Sequence, residues 1–163
     1  MSVLTGTLVC RADEAAVVDL GRKVESTLMA QRFSELEAMA QEYRQRDSRL
    51  QGGNAKLYHF YGALGAFAGQ RSFGYQSETP FNDKRQLIDR WLVAKPTSLT
   101  ARLAMAQLWS IYAWGGRGDE YAHKVRPDQW KLFNEGVNEA ERYLKDVDPK
   151  SDAHEPVAQT PFS

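Results

Sequence analysis

One stretch of this sequence, from Trp114 to Trp130, combines residue types and spacings that could do chemistry. Gly115-Gly116-Arg117-Gly118 permits a backbone that other residues resist. Trp114, Arg117, Tyr121 and His123 belong to types that concentrate at binding hot spots or titrate near neutrality, and Asp119 and Glu120 add two carboxylates. As a set they make a recognition surface for a protein partner. Arg117, Glu120 and His123 could instead converge as cation, carboxylate and general acid or base of a hydrolase. In a purely structural arrangement the segment folds back on its helical hairpin, with Trp114 and Tyr121 in the core and Arg117 paired with an acidic neighbour.

Elsewhere the chemistry thins out. The glycines at 115–118 lack the Gly-Lys-Ser/Thr ending of a phosphate-binding loop and follow no predicted strand. His59, His123 and His154 are the three histidines, and no two have the spacing of a helical or zinc-finger metal pair. His59, between Tyr58 and Phe60, reads as a hydrogen-bonded structural histidine. Glu35 with Glu37, Asp119 with Glu120, and Glu139 with Glu141 are one or two residues apart, a spacing that does not share a helix face. There is no Gly-x-Ser-x-Gly elbow, and Cys10 falls in an N-terminal arm. The reading therefore names no catalytic residue, no metal ligand and no cofactor, and leaves the candidate partner-binding set as Trp114, Arg117, Asp119, Glu120, Tyr121 and His123.

A chain of 163 residues suits one domain with its own core. Its 21 basic and 21 acidic residues cancel, which argues against a dedicated nucleic-acid binder, since such proteins draw affinity from a basic excess. A lone cysteine allows no intramolecular disulfide and points to the cytoplasm. Residues 3–10 are mildly apolar, but they lack the charged flank and length of a signal peptide, and Val9 before Cys10 does not suit a lipobox. No run reaches the roughly 20 apolar residues that cross a bilayer, so the expected partner is a protein and not a membrane.

The elements that must position the candidate set are helical. After an arm or short strand at 1–12, apolar residues recur at Val17, Leu20, Val24 and Leu28, and again at Phe33, Leu36, Ala40 and Tyr43. The brief break at Gln31-Arg32 predicts an antiparallel hairpin. Gly52-Gly53-Asn54 precedes an aromatic helix with Leu57, Phe60, Tyr61, Leu64 and Phe67, and residues 69–80 read as a long loop. Asn82 or Asp83 caps a fourth helix ending at Pro96, and Thr97 or Ser98 caps a fifth. The fifth, 99–114, is apolar nearly all round and belongs at the centre, stopped by the glycines that follow. Pro127 and Asp128 open a sixth helix, and 150–163 form an irregular tail after a helical domain at 13–149. Trp91, Trp109, Trp114 and Trp130 are expected to fill seams between helices.

The helix end Arg90-Trp91-Leu92 running into Pro96-Thr97-Ser98 echoes Arg142-Tyr143-Leu144 running into Pro149-Lys150-Ser151. The spacing of the two prolines exceeds the roughly 34 residues of a TPR unit, and the glycine-rich insertion accounts for the excess. Gly53-x2-Lys56-Leu57-x2-Phe60-Tyr61, Trp91-x4-Pro96-x-Ser98-x2-Ala101-Arg102 and Ala113-Trp114-x2-Arg117-Gly118-x2-Tyr121-Ala122-x2-Val125-x4-Trp130-x2-Phe133 together resemble an uncharacterised bacterial domain-of-unknown-function family with TPR-like helices. The likeness spans roughly residues 24–147 and implies an all-α, irregular TPR-like stack of antiparallel hairpins, about six helices in all. It implies no activity. The expectation is a non-catalytic interaction module, for instance an immunity protein or inhibitor of a bacterial toxin or effector, or an adaptor. The alternative is a hydrolase with its site around 115–126, and a self-associating structural protein is the third reading.

Overall fold

The computed structural model describes residues 4–45, 48–67, 78–118, 121–145 and 147, with side chains from Glu14 onward except at 78 and 79. The elements are α1 (Leu4–Met29), α2 (Phe33–Gln45), α3 (Lys56–Gly65), α4 (Glu78–Ala94), α5 (Leu99–Arg117), a 3-10 turn (Ala122–Lys124) and α6 (Pro127–Leu144). The fold is all-α with six helices, as expected, and no strand occurs among the described residues. An isolated bridge, Arg49 with Ala55, closes the Gly52-Gly53 turn that leads into α3.

Three boundaries correct the sequence reading. In place of an arm or strand before residue 13, α1 already runs from Leu4 and carries Cys10 on its backbone. Thr5, Thr7 and Val9 are weak helix formers and Gly6 a weaker one, but adding turns to a formed helix over such residues costs only about 1 kcal/mol or less per residue. Helix α4 begins at Glu78, upstream of Asn82 and Asp83. Pro80 sits in its first turn, where the missing N–H has no intrahelical acceptor to lose. Helix α5 runs through Gly115 and Gly116 and stops at Gly118, whose φ of 72° and ψ of −175° suit glycine alone.

Helix α1 ends at a turn in which the Arg32 amide donates to Thr27 O at 3.1 Å and the Gln31 amide to Leu28 O at 2.9 Å. Gln31 takes the left-handed position of this motif, with φ 53°. The tight turn sends α2 back against α1.

The core gathers around α5, which packs on α3, α4 and α6. Leu103, Ala104, Met105, Leu108 and Tyr112 of α5 join Leu28, Leu36, Phe60, Leu64, Ile88 and Trp91 from the four preceding helices in one apolar cluster. Glycines let two neighbours approach closely. A Cβ on Gly65 would lie 2.7 Å from Ile111 Cδ1, and one on Gly136 would lie 2.8 Å from Ala113 Cβ. Helix α6 buries only a narrow stripe, Phe133, Gly136 and Ala140, against α5.

Polar side chains tie the other joints. Trp91, fully buried and stacked on Phe33, donates its Nε1–H to Glu37 Oε1 at 3.0 Å, and Ser98 Oγ donates to the same oxygen. Ser98 Oγ also accepts from Ala101 N at 2.9 Å and so caps α5. Arg44 of α2 donates to Tyr61 on α3 and Thr100 on α5. Lys84 Nζ, although buried, reaches Ala63 O at 2.9 Å, Ala66 O and the Glu25 carboxylate at 3.2 Å. It therefore places a cation at the negative C-terminal end of α3. Burial pushes the Lys84 ammonium below its usual range, and Glu25 opposes the shift.

Candidate functional site

The C-terminal end of α5 and the start of α6 meet in a cluster of aromatic rings around one arginine. Trp114 and Trp130 each pack edge-on against the buried Phe133, at 5.0 and 5.7 Å between centroids. The Arg117 guanidinium carbon lies 5.3 Å from the Trp114 ring centre and 5.4 Å from that of Trp130, so both indoles cover it. The extension of α5 beyond Trp114 makes this possible, because one further turn carries Arg117 into register with the first turn of α6. Gln129 holds the junction: its Nε2 donates to Arg117 O at 3.4 Å and its Oε1 accepts from Arg126 N at 3.0 Å.

Beyond Gly118 the chain comes back through the 3-10 turn, where Tyr121 and His123 stack with centroids 6.0 Å apart. Both are exposed, Tyr121 to 75%. Val125 is buried and anchors the turn before Pro127 opens α6. Arg126 and Asp128 are joined by two parallel hydrogen bonds, Nε to Oδ1 at 3.1 Å and Nη2 to Oδ2 at 3.0 Å. That pairing holds the Asp128 carboxyl below its ordinary range.

Four of the six sequence-predicted residues, Trp114, Arg117, Tyr121 and His123, are thus placed at one end of the molecule. Asp119 and Glu120 lie outside the described residues. The back-folded structural arrangement holds only for Trp114, which is partly buried. Tyr121 stands in solvent, and no carboxylate among the described residues is within ion-pairing distance of Arg117. No hydrogen bond joins Arg117 to His123 or orients the His123 ring among those residues. His59 departs from expectation as well: among the described residues its buried Nε2 has no hydrogen-bond partner, and its ring stands edge-on to Tyr58.

The structure also holds two concavities that sequence reasoning missed. A groove of about 660 Å³ lies where α4, α5 and α6 meet, with Phe81, Trp109 and Tyr112 at its base and Arg85, Glu135 and Glu139 on its walls. The three rings interlock, Phe81 and Tyr112 stacking at 4.1 Å and Trp109 meeting Phe81 edge-on at 4.8 Å. Each wall charge is paired along its own helix: Arg85 with Asp89, Glu135 with Lys131 and Glu139 with Arg142. A second hollow of about 460 Å³ lies beside Asp19, Tyr43, Arg49 and Lys56. The pairing of Trp109 and Tyr112 three residues apart was the visible signal for the groove. Phe81 fell in a stretch read as the edge of a loop.

No family model matches the chain, nor does any curated protein or solved structure. Among the described residues no helix is long and apolar enough to cross a membrane, and no three His, Cys, Asp or Glu gather as metal ligands would. The functional reading rests on the geometry at the end of the α5–α6 hairpin.

Proposed function

We propose that the chain is a non-catalytic protein–protein interaction module that binds its partner through the Trp114–Arg117–Tyr121–His123–Trp130 end of the α5–α6 hairpin. The observation that carries this is the guanidinium of Arg117 held over two indoles, with an exposed Tyr121–His123 stack in the segment that leads from α5 to α6. Arginine and aromatic rings dominate binding hot spots because they bring large, stiff contact area at little entropic cost. A hydrolase is supported less well, since His123 stands exposed with no hydrogen bond among the described residues to fix its tautomer or aim it. The resemblance to TPR-like helical domains favours the same reading, because stacked hairpins commonly serve as binding scaffolds. Its narrower form is an immunity protein or inhibitor of a bacterial toxin or effector. A toxin gene beside this one would support that form.

Site-specific photo-crosslinking tests the module reading. A benzophenone side chain placed at Tyr121 should give one discrete protein adduct that is lost in Trp130→Ala, whereas the same group at the exposed Val93 should give none. Equal labelling from both positions, or none from Tyr121, overturns it.

A further inference from the structure

Three arginines of the α5–α6 hairpin can be compared through one edge of the guanidinium, the side formed by Nε and Nη2. That edge presents two parallel N–H groups and matches a pair of oxygens. In Arg102 it is filled from within the chain: Nε donates to Tyr143 O at 3.1 Å and Nη2 to Lys145 O, where α6 ends. In Arg126 it is filled by the two oxygens of Asp128. In Arg117 the donation made is from the other nitrogen, Nη1, to Gly118 O at 3.3 Å.

The Nε and Nη2 of Arg117 make no bond within the described residues. Among the described residues the buried polar side-chain atoms left without a partner are His59 Nε2 and Trp109 Nε1, and the Arg117 nitrogens are not in that group. The fork is therefore unfilled within the described residues, and it is also stiffened. Two indoles cover the guanidinium, and the bond to Gly118 holds its far side. A guanidinium fixed in this way loses less entropy on binding and is less hydrated than one on a free stem, both of which strengthen a charge-assisted bond to a carboxylate.

We propose that the Nε/Nη2 edge of Arg117 is the docking fork for an acidic side chain, Asp or Glu, on a protein partner. This rests on the module reading above and names the chemistry of the partner. The exposed Tyr121–His123 stack, which begins three residues on from Gly118, offers ring surface that a small free anion would not use, and this favours a carboxylate carried on a polypeptide.

NMR on the full-length protein reads the fork directly through the Arg117 Nε–H signal and the Trp114 and Trp130 indole N–H signals. The probe is a blocked pentapeptide, acetyl-Ser-Phe-Glu-Phe-Ser-amide, with three controls: Gln in place of Glu, the Gln peptide with a free C-terminal carboxylate, and the Gln peptide with one serine phosphorylated. The Glu peptide should shift all three signals, and the Gln peptide should bind about tenfold more weakly. Arg117→Gln should erase the difference, and Arg117→Lys, which keeps charge but not the fork, should restore only part of it. Equal binding of Glu and Gln peptides, a response to the terminal carboxylate or phosphate alone, or no response to any probe overturns the proposal. So does a shift of the Arg117 Nε–H signal in Asp119→Asn/Glu120→Gln without peptide, because the fork would then be filled from within. If the Tyr121 crosslink survives in Arg117→Gln, the module reading stands while the fork falls. If wild type gives no crosslink, the module reading itself falls.

Discussion

At one end of the α5–α6 hairpin Arg102 places its Nε/Nη2 edge on two carbonyls where α6 finishes, and at the other the same edge of Arg117 makes no hydrogen bond within the described residues. Around Arg102 the polar groups are closed on one another: Ser98 caps α5, Glu37 accepts from Ser98 and Trp91, and Arg44 bonds Thr100. Around Arg117 the rings pack edge-on and are partly exposed, and the stacked Tyr121–His123 pair faces solvent. A closed end of this kind holds helices together, while an open end with stiff side chains is what binding to something outside the chain requires. The contrast predicts that damage at the closed end is paid in stability and damage at the open end in binding.

The largest effect should come from Trp91→Ala. It removes a fully buried ring stacked on Phe33 and leaves Glu37 short of one donor, which should cost about 3–5 kcal/mol in urea unfolding. Tyr121→Ala, also a large aromatic deletion, should stay within about 0.5 kcal/mol because its ring is exposed. Comparable losses for the two would erase the distinction between the ends.

Next in size is the seam between them. Gly136→Val would drive a Cβ into Ala113 and the backbone oxygen of Trp109, and should cost about 1–3 kcal/mol as α6 is pushed off α5. Because α6 carries Trp130 and Phe133, the same variant should also weaken the Arg117 cluster, read as a change in its indole N–H signals. A destabilised protein with unchanged indole signals would mean that the open end is organised by its own turn and not by α6 docking.

The architecture was legible where periodicity was strong. The nearly all-apolar run of α5 announced a central helix, and the steps of three and four in α6 picked out Phe133 and Ala140 of its buried stripe, though they pointed to Val137 where Gly136 is the buried residue. Boundaries were less legible because glycine and proline carry two meanings. Gly115 and Gly116 look like breakers, yet they stay helical, and Gly118 alone takes the conformation that ends the helix. Pro80 looks like loop, yet it occupies a first turn that tolerates it. The candidate residues were visible as types, but not the relation between them. That Arg117 meets Trp130, thirteen positions on, depends on α5 running one turn further than its composition suggests. The closures by Glu37, Lys84 and Arg102 link distant helices and left no local spacing to read.

Smaller still is the difference between the two arginines. Arg102→Ala frees the last carbonyls of α6 to water and should cost about 1–2 kcal/mol, with α6 fraying first in hydrogen exchange. Arg117→Ala gives up contacts with the indoles and the long bond to Gly118 O, about 0.5–1 kcal/mol in all, and should leave the exchange of α6 amides nearly as it was. If Arg117→Ala proves the more damaging, the arginine serves the fold and the open fork is incidental.

The finest test sets Arg117 against Arg126, its neighbour at the same end. The bond and charge of Arg126 hold the Asp128 carboxyl below its ordinary range. A carboxyl whose folded value lies below its unfolded one favours the folded state at pH above the unfolded value, and that contribution disappears as pH falls through the folded value. Carboxyl NMR should therefore show Asp128 titrating low in wild type and nearer the usual range in Arg126→Gln. Asp128→Asn removes the carboxylate from the Arg126 fork and gives the chain a second open edge. The two forks then differ in their surroundings, since Arg126 is largely exposed whereas Arg117 lies over two indoles. The Glu pentapeptide should still shift Arg117 far more than Arg126, because an exposed guanidinium keeps its freedom until it binds, whereas the indoles already restrict that of Arg117. Equal shifts at the two arginines would reduce the indoles to bystanders and the open end to a single exposed charge.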